Sequence, residues 1–122
     1  MNILIVDDQQ LRHDKFIKEY PDDNLFHVYN FDSAAQALDT QKFDMIMLDH
    51  DLGDYSGTFA DGTPGKELTG YEVALYLVRV VPESNWPEYV MIHTLNNVAA
   101  WSIKNLLNTV GIKSAVKPFK AK

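Results

Sequence analysis

Acidic side chains follow two strand-like segments of the sequence at the point where each segment ends. Asp7 and Asp8 come directly after the apolar run Asn2 to Val6, and Asp49 follows a second run, Phe43 to Leu48. The carboxyl ends of parallel strands open on one edge of a sheet, where α/β proteins bind their ligands. We therefore expect these three acids, which are distant in sequence, to lie close together.

A cation is expected at the same edge of the sheet. Lys117 follows the last apolar run of the chain and precedes a proline. Carboxylate oxygens are the ligands that Mg²⁺ prefers, and a lysine adds a positive charge for phosphoryl oxygens. The sequence thus predicts a Mg²⁺ and phosphate site built from Asp7, Asp8, Asp49 and Lys117.

The composition limits the other possibilities. A chain of 122 residues predicts one domain over residues 1–122, and the absence of cysteine excludes disulfides and thiolate chemistry. The net charge of −6, with basic residues scattered, argues against an extended nucleic-acid surface. No apolar run approaches the roughly 20 residues that cross a bilayer, and no secretion signal is evident. These features predict a cytoplasmic protein that does not enter a membrane.

Strand and helix patterns alternate along the chain, which predicts a doubly wound α/β sheet. Capping boxes are predicted for the second helix, from Ser33 with Gln36, and for the third helix, from Thr69 with Glu72. The predicted strands are Asn2 to Val6, Phe26 to Phe31, Phe43 to Asp49, Tyr89 to His93 and Lys113 to Val116. The predicted helices run from Gln10 to Tyr20, from Ser33 to near Gln41, from Thr69 to just before Pro82, and from Asn96 or Asn97 to Gly111.

The connection from Asp54 to Thr69 is longer than the few residues usual between a strand and a helix. Long glycine-containing loops beside such sites often control access to them. One interpretation is a lid in which Tyr55 and Phe59 cover a bound base or sugar. The other is a disordered insertion.

These segments resemble, in order and spacing, the receiver domain of bacterial response regulators over nearly the whole chain. The resemblance implies a flavodoxin-like three-layer α/β sandwich whose five-stranded parallel sheet has the order 2-1-3-4-5. The segments that carry it are Ile3 to Asp8, Ser33 to Leu38, Phe43 to Asp49, Gly70 to Val73, Thr94, and Val116 to Phe119.

The resemblance also implies roles for individual residues. Asp49 takes the place of the phosphoacceptor, and Asp7 and Asp8 take the place of the metal-binding acids. Thr94 corresponds to the hydroxyl that contacts the phosphate, and Lys117 to the lysine that binds it. The implied partner is a histidine kinase or a small phosphodonor.

Three departures from the receiver pattern affect signalling more than chemistry. Gly53 stands where receivers usually have a proline, and Ser114 replaces the aromatic residue that reports phosphorylation. The sequence stops at Lys122, so the fifth helix of receivers is expected to be absent. Its groove would then be open to a protein partner or a second copy of the chain.

The stretch from Leu48 to Asp54 and the sequence Ile92-His93-Thr94 resemble a divergent branch, the cyclic-phosphate-processing receiver family. That name implies an enzyme acting on cyclic nucleotides or cyclic phosphate ends of RNA, with His50 and possibly His93 as acid and base. Alternatively, His93 packs under a helix, since neighbours on a strand face opposite ways. For Asp51 the alternatives are a carboxylate ligand of the metal or a residue that only turns the loop.

Overall fold

The computed structural model describes residues 1–55 and 67–117, and these form the predicted receiver-like α/β fold. Five parallel strands lie in the order β2-β1-β3-β4-β5, as predicted. The strands are β1 (Asn2–Val6), β2 (Asn24–Val28), β3 (Met45–Leu48), β4 (Tyr89–Ile92) and β5 (Ser114–Val116). The helices are α1 (Gln10–Glu19), α2 (Phe31–Thr40), α3 (Gly70–Arg79) and α4 (Asn97–Thr109), with a short 3-10 turn at Glu83–Asn85.

The sheet lies between two helical layers, which makes β1 the most deeply buried strand. Leu4 and Val6 point into the larger core, which α2, α3 and α4 close. Ile3 and Ile5 point to the opposite face, where Phe16 of α1 packs against them. A strand covered on both faces must be apolar along its length, which explains the continuous apolar run.

The start of α2 differs from the prediction. The second strand ends at Val28 and not at Phe31, because Val28 pairs with Val6, the last residue of β1. Phe31 therefore begins α2, and Asn30 caps the helix by accepting a hydrogen bond from the Ser33 backbone N–H at 2.9 Å. The predicted capping box of Ser33 and Gln36 is wrong, since the Ser33 hydroxyl itself donates to Asn30 Oδ1 at 2.8 Å.

The caps of the two helices next to the predicted site follow the sequence. Thr69 and Glu72 form the predicted capping box of α3, with Glu72 Oε1 accepting from the Thr69 backbone N–H at 3.1 Å. Asn96 caps α4 by accepting from the Ala99 N–H at 3.0 Å. Gly111 follows α4 with a φ of 82°, the left-handed conformation predicted there. The first turns of α3 and α4 are thereby fixed near the carboxyl ends of β3 and β4.

Hydrogen bonds hold both described ends of the connection from Asp54 to Thr69. The Leu68 N–H donates to the Asp54 carbonyl at 2.7 Å, and Asp54 Oδ2 accepts from the Phe31 N–H at 3.0 Å. Tyr55 is 62% exposed. Phe59 lies outside the described residues, so the lid remains a prediction.

Four α-helices are present in residues 1–55 and 67–117, and none follows β5 within that range. On the α1 face of the sheet, Tyr89 and Met91 of β4 are half-buried. None of the helices described is both long enough and apolar enough to cross a bilayer.

Candidate functional site

Three carboxylates meet at the carboxyl ends of two neighbouring strands. Asp7 and Asp8 follow β1 and Asp49 follows β3, and the Asp49 N–H donates to the Val6 carbonyl at 3.0 Å. One carboxylate oxygen from each acid lies within 4.8 Å of the other two. The convergence that the strand pattern predicts is therefore present.

Asp7 is fully buried and its carboxylate accepts four hydrogen bonds. Arg12 donates to it twice, through Nε at 2.6 Å and Nη2 at 2.8 Å. The Gln9 N–H and His93 Nε2 each donate at 2.9 Å. Burial alone would raise the pKa of Asp7, but the hydrogen bonds from His93 and Arg12 outweigh it and lower the pKa to about 2.

Asp49 has the opposite electrostatic environment. It is 4% exposed, and burial followed by the charge of Asp7 raises its pKa to about 7. Arg12 opposes this rise, because its Nη2 donates to Asp49 Oδ2 at 3.1 Å. Near neutral pH and without a metal, Asp49 is therefore only partly ionised.

Arg12 is the functional residue that the sequence analysis missed. It lies in the first turn of α1, and its Nη2 also lies 3.5 Å from Asp8 Oδ1. A signal was present, because an arginine four residues after Asp8 on a predicted helix faces back toward the end of the preceding strand. The positive charge in the acidic cluster comes from this residue.

Lys117 does not contact the cluster. Its side chain is exposed, and its backbone N–H continues the β5 pairing by donating to the Ile92 carbonyl at 2.8 Å. Within the described ranges its ammonium group makes no ion pair with Asp7, Asp8 or Asp49.

The two histidines predicted as an acid–base pair lie in different environments. His93 is 3% exposed, contacts Asp7, and packs edge-on against Phe16 with ring centroids 5.2 Å apart. Its Nδ1 is buried and has no hydrogen-bond partner in the described part of the chain. His50 Nδ1 lies 2.8 Å from Asp51 Oδ1, and the ring lines a groove of about 680 Å³ between α3 and α4.

Asp8 and Asp49 open onto a cavity of about 420 Å³, and Asp7 lies buried behind them. Thr94, only 3% exposed, lines this cavity and also accepts a hydrogen bond through Oγ1 from the Asn96 N–H at 3.2 Å. Its hydroxyl is thus available to an anion while it stabilises the following turn. The lining residues are Asp8, Gln9, Leu11, Arg12, Asp49, Asp51, His93, Thr94 and Leu95.

Asp51 borders the cavity but lies outside the three-acid cluster. Its side chain is 66% exposed and pairs with His50. Two residues later, Gly53 has a φ of 58°, which a proline fixed near −65° cannot adopt. The proline usual in receivers is therefore incompatible with this loop, which runs close enough for a Gly53 Cβ to lie 3.3 Å from Asp8 Oδ2.

Gly70, the first residue of α3, lies against the backbone of Asp49. The Gly70 N–H donates to the His50 carbonyl at 2.8 Å, and a Cβ on Gly70 would lie 2.1 Å from the Asp49 carbonyl oxygen. Only glycine allows the helix to start this close to the strand end.

A buried histidine holds the backbone behind the acids. His13, to which the sequence pattern assigns no catalytic role, is fully buried, with Nε2 2.8 Å from the Asp7 carbonyl oxygen. Its Nδ1 lies 2.6 Å from Nδ1 of His27. Burial and the nearby His13 lower the pKa of His27.

The donor set suits a hard divalent cation. Mg²⁺ binds oxygen at about 2.0–2.1 Å and Ca²⁺ at about 2.3–2.6 Å, so opposite ligands are roughly 4.2 or 5 Å apart. The oxygens of Asp7, Asp8 and Asp49, which lie within 4.8 Å of one another, match this range. These three residues would hold the ion.

The sheet order, together with acids at the ends of β1 and β3, defines a receiver domain of the response-regulator type. A family profile described as "Cyclic-phosphate processing Receiver domain" matches residues 2–109, and the chain belongs to this family. Among curated proteins, no relative matches it.

Solved structures support the same fold class. A response regulator from Burkholderia pseudomallei, with a phosphorylated aspartic acid, calcium ion and citrate, has a TM-score of 0.63 at 18% identity, covering 98% of this chain. This chain spans 61% of that one. The receiver domain of a putative Luxo repressor from Vibrio parahaemolyticus has a TM-score of 0.64 at 17% identity, covering 98% and 79% of the two chains.

The response regulator TrrA from Thermotoga maritima, in complex with Mg²⁺–BeF, is also similar. Its TM-score is 0.59 at 17% identity, with coverage of 98% of this chain and 88% of TrrA. At such identities these likenesses establish the fold alone.

Proposed function

We propose that this receiver domain is a Mg²⁺-dependent phosphoacceptor of phosphorelay signalling, in which Asp49 receives the phosphoryl group. The observation that carries the proposal is the position of Asp49, which is buried beside Asp7 and Asp8 with their oxygens within 4.8 Å. The similar Burkholderia structure contains a phosphorylated aspartic acid, and the Thermotoga structure contains Mg²⁺–BeF. A histidine kinase or a small phosphodonor would supply the group.

The chemistry follows from the residues around the cavity. When bound, Mg²⁺ neutralises the acids and draws electron density from the phosphoryl oxygens. An ionised oxygen of Asp49 attacks phosphorus, and the bond to the donor breaks with its electron pair on the leaving group. Thr94 lines the same cavity and donates its hydroxyl hydrogen to a phosphoryl oxygen. Binding of the phosphate by Lys117, which the sequence resemblance implies, remains a prediction. Phosphorylation of Lys117→Ala, measured beside wild type, tests it.

Intact-mass measurement after incubation with Mg²⁺ and a small phosphodonor tests the acceptor. Wild type is expected to gain one phosphoryl group, and Asp49→Asn to gain none. Asp51→Asn is the matched control, because Asp51 lies outside the three-acid cluster and is exposed. An unmodified wild type, or a modified Asp49→Asn, would contradict the proposal. Loss of the adduct in Asp51→Asn would instead assign Asp51 to the metal.

An enzymatic role on cyclic phosphates is the second hypothesis, and the family's description is what favours it. Its predicted acid and base, His50 and His93, line different cavities, so the geometry supports it less than the acceptor role. Turnover of cyclic nucleotides and of RNA with cyclic phosphate ends, by wild type, His50→Ala and His93→Ala, tests it. Absence of turnover in wild type removes the hypothesis.

The open part of the α1 face is the proposed place for a partner or a second copy of the chain. Tyr89 and Met91 are half-buried there, and within the described residues no helix follows β5. Sedimentation at high concentration is expected to show a dimer if the partner is a second copy. A cytoplasmic location, where phosphodonors are available, belongs to the same proposal.

A further inference from the structure

The Nη2 atom of Arg12 lies at the centre of the three-acid cluster. It is 2.8 Å from Asp7 Oδ1, 3.1 Å from Asp49 Oδ2 and 3.5 Å from Asp8 Oδ1. The guanidinium also donates through Nε to Asp7 Oδ2 at 2.6 Å, which completes a two-pronged pair with that carboxylate. One nitrogen therefore contacts an oxygen of each acid expected to hold a divalent ion.

A cation coordinated by these oxygens cannot share the position with Nη2. Metal–oxygen bonds of about 2.1 Å leave no room for a donor nitrogen among the same oxygens, and the two charges repel. Asp7 has no spare capacity either, since its four hydrogen bonds include two from Arg12. Metal binding must therefore displace the Arg12 guanidinium from the acids.

The displaced guanidinium has an anionic partner close by in the proposed reaction. Arg12 lines the 420 Å³ cavity together with Thr94, and its side chain is 26% exposed, so it has space to move. Arginine binds phosphate oxygens in the same two-pronged way as carboxylates. Lys117, by contrast, is exposed and makes no ion pair with the acids in the described part of the chain.

Resting on the proposed function, we propose that Arg12 is an exchangeable cation. It pairs with Asp7 and Asp49 while the metal is absent, and it binds the phosphoryl oxygens once the metal has taken those carboxylates. Arg12 thus competes with the metal before the reaction and holds the phosphoryl group during it.

The first half of the proposal predicts an unusual effect on metal affinity. Calorimetric titration of Mg²⁺ alone at pH 9, above the raised pKa of Asp49, is expected to show at least about tenfold tighter binding by Arg12→Met than by wild type. The reason is that a hydrogen bond between charged groups contributes about 1.5–3 kcal/mol, and tenfold corresponds to about 1.4 kcal/mol. Arg12→Lys keeps the charge but loses the two-pronged pairing with Asp7. Its Mg²⁺ affinity is expected to fall between those of wild type and Arg12→Met. Arg79→Met, at the exposed end of α3, is the matched control and is expected to bind as wild type does.

The second half is tested with beryllofluoride, a phosphoryl mimic, at saturating Mg²⁺. The affinity of Arg12→Met for beryllofluoride is expected to be at least about tenfold lower than that of wild type. Arg79→Met is expected to bind beryllofluoride as wild type does. Unchanged or weaker Mg²⁺ binding by Arg12→Met and Arg12→Lys, with cooperative thermal unfolding preserved, would overturn the inference. So would a loss of beryllofluoride binding confined to Lys117→Ala.

The two levels of the proposal fail in different ways. Wild-type protein that takes up no Mg²⁺ removes both the acceptor function and the role of Arg12. Wild-type protein that binds Mg²⁺ and is phosphorylated on Asp49, with Mg²⁺ affinity unaltered by Arg12→Met, removes only the role of Arg12.

Discussion

Asp7 and Asp49 are neighbouring carboxyl groups whose pKa values move in opposite directions. Asp7 collects hydrogen bonds that favour its ionised form, and its pKa falls to about 2. Asp49 is buried beside that negative charge, and its pKa rises to about 7. This division keeps Asp7 ionised at neutral pH, whereas Asp49 becomes fully ionised there only when its environment supplies more positive charge.

Asp49→Asn is expected to stabilise the metal-free protein in a pH-dependent way. The raised pKa means that the folded state holds a proton on Asp49 that the unfolded state has lost, so ionisation opposes folding as pH rises from about 4 to 7. The gain in unfolding free energy is expected to be small at pH 4 and about 1–3 kcal/mol at pH 8, at 1.36 kcal/mol per pKa unit less the lost Arg12 contact.

Urea unfolding in EDTA at several pH values measures this gain. Asp51→Asn is the control, because an exposed carboxylate is expected to change the free energy by less than about 0.5 kcal/mol. A gain in Asp49→Asn that is independent of pH would contradict the raised pKa.

The residues that sequence could place differ from those it could not. The positions of Asp7, Asp8 and Asp49 follow from strand ends, which the apolar runs define. Arg12 and Lys117 have long side chains whose direction depends on tertiary contacts, so the sequence pattern could not show that Arg12 pairs with Asp7 and Asp49. The role of Lys117 stays a prediction.

At the scale of elements, the site depends on how closely α3 approaches β3. Gly70→Ala is expected to destabilise the protein by about 3 kcal/mol or more, because a methyl group 2.1 Å from the Asp49 carbonyl oxygen must move either the helix or the strand end. Thermal and urea unfolding measure the loss.

A cap substitution provides the comparison. Asn30→Ala removes the cap of α2, away from the acids, and is expected to cost only about 1 kcal/mol. Equal losses of unfolding free energy in Gly70→Ala and Asn30→Ala would contradict the steric cost expected at Gly70.

Elements were predictable where a local signal had no competitor. The Thr69 capping box and the apolar run of β1 stand alone in their segments, and both are confirmed. At α2, Asn30 and Ser33 are both good caps, and the register with β1, a tertiary fact, decides for Asn30. The connection from residue 56 to residue 66 offers no comparable test, because it lies outside the described residues.

At the scale of the whole molecule, the proposed metal site predicts a link between metal binding and stability. Mg²⁺ is expected to raise the melting temperature, since a ligand at about 100 times its Kd adds roughly 2.7 kcal/mol. The rise is expected to be larger at pH 8 than at pH 5, because Asp49, with a pKa of about 7, must lose its proton to act as a ligand. Differential scanning calorimetry at the two pH values measures it.

Asp8→Asn is the control for that rise. Asp8 belongs to the acidic cluster, and its side-chain hydrogen bonds within the described residues are long, at 3.4 and 3.5 Å. Its loss is therefore expected to weaken metal binding with little direct effect on folding. A melting temperature raised equally by Mg²⁺ in wild type and Asp8→Asn would place the ion elsewhere.

Under the proposed function, the contact between Gly70 and Asp49 offers a route by which modification of Asp49 would act on the rest of the fold. Ser114 offers no aromatic ring to change its rotamer, but the first turn of α3 rests on the main chain of Asp49 without a methyl group's clearance. A displacement of the Asp49 main chain would therefore press directly on the first turn of α3. Because α3 packs between α2 and α4, we expect such a displacement to shift the contacts of α3 with both neighbouring helices.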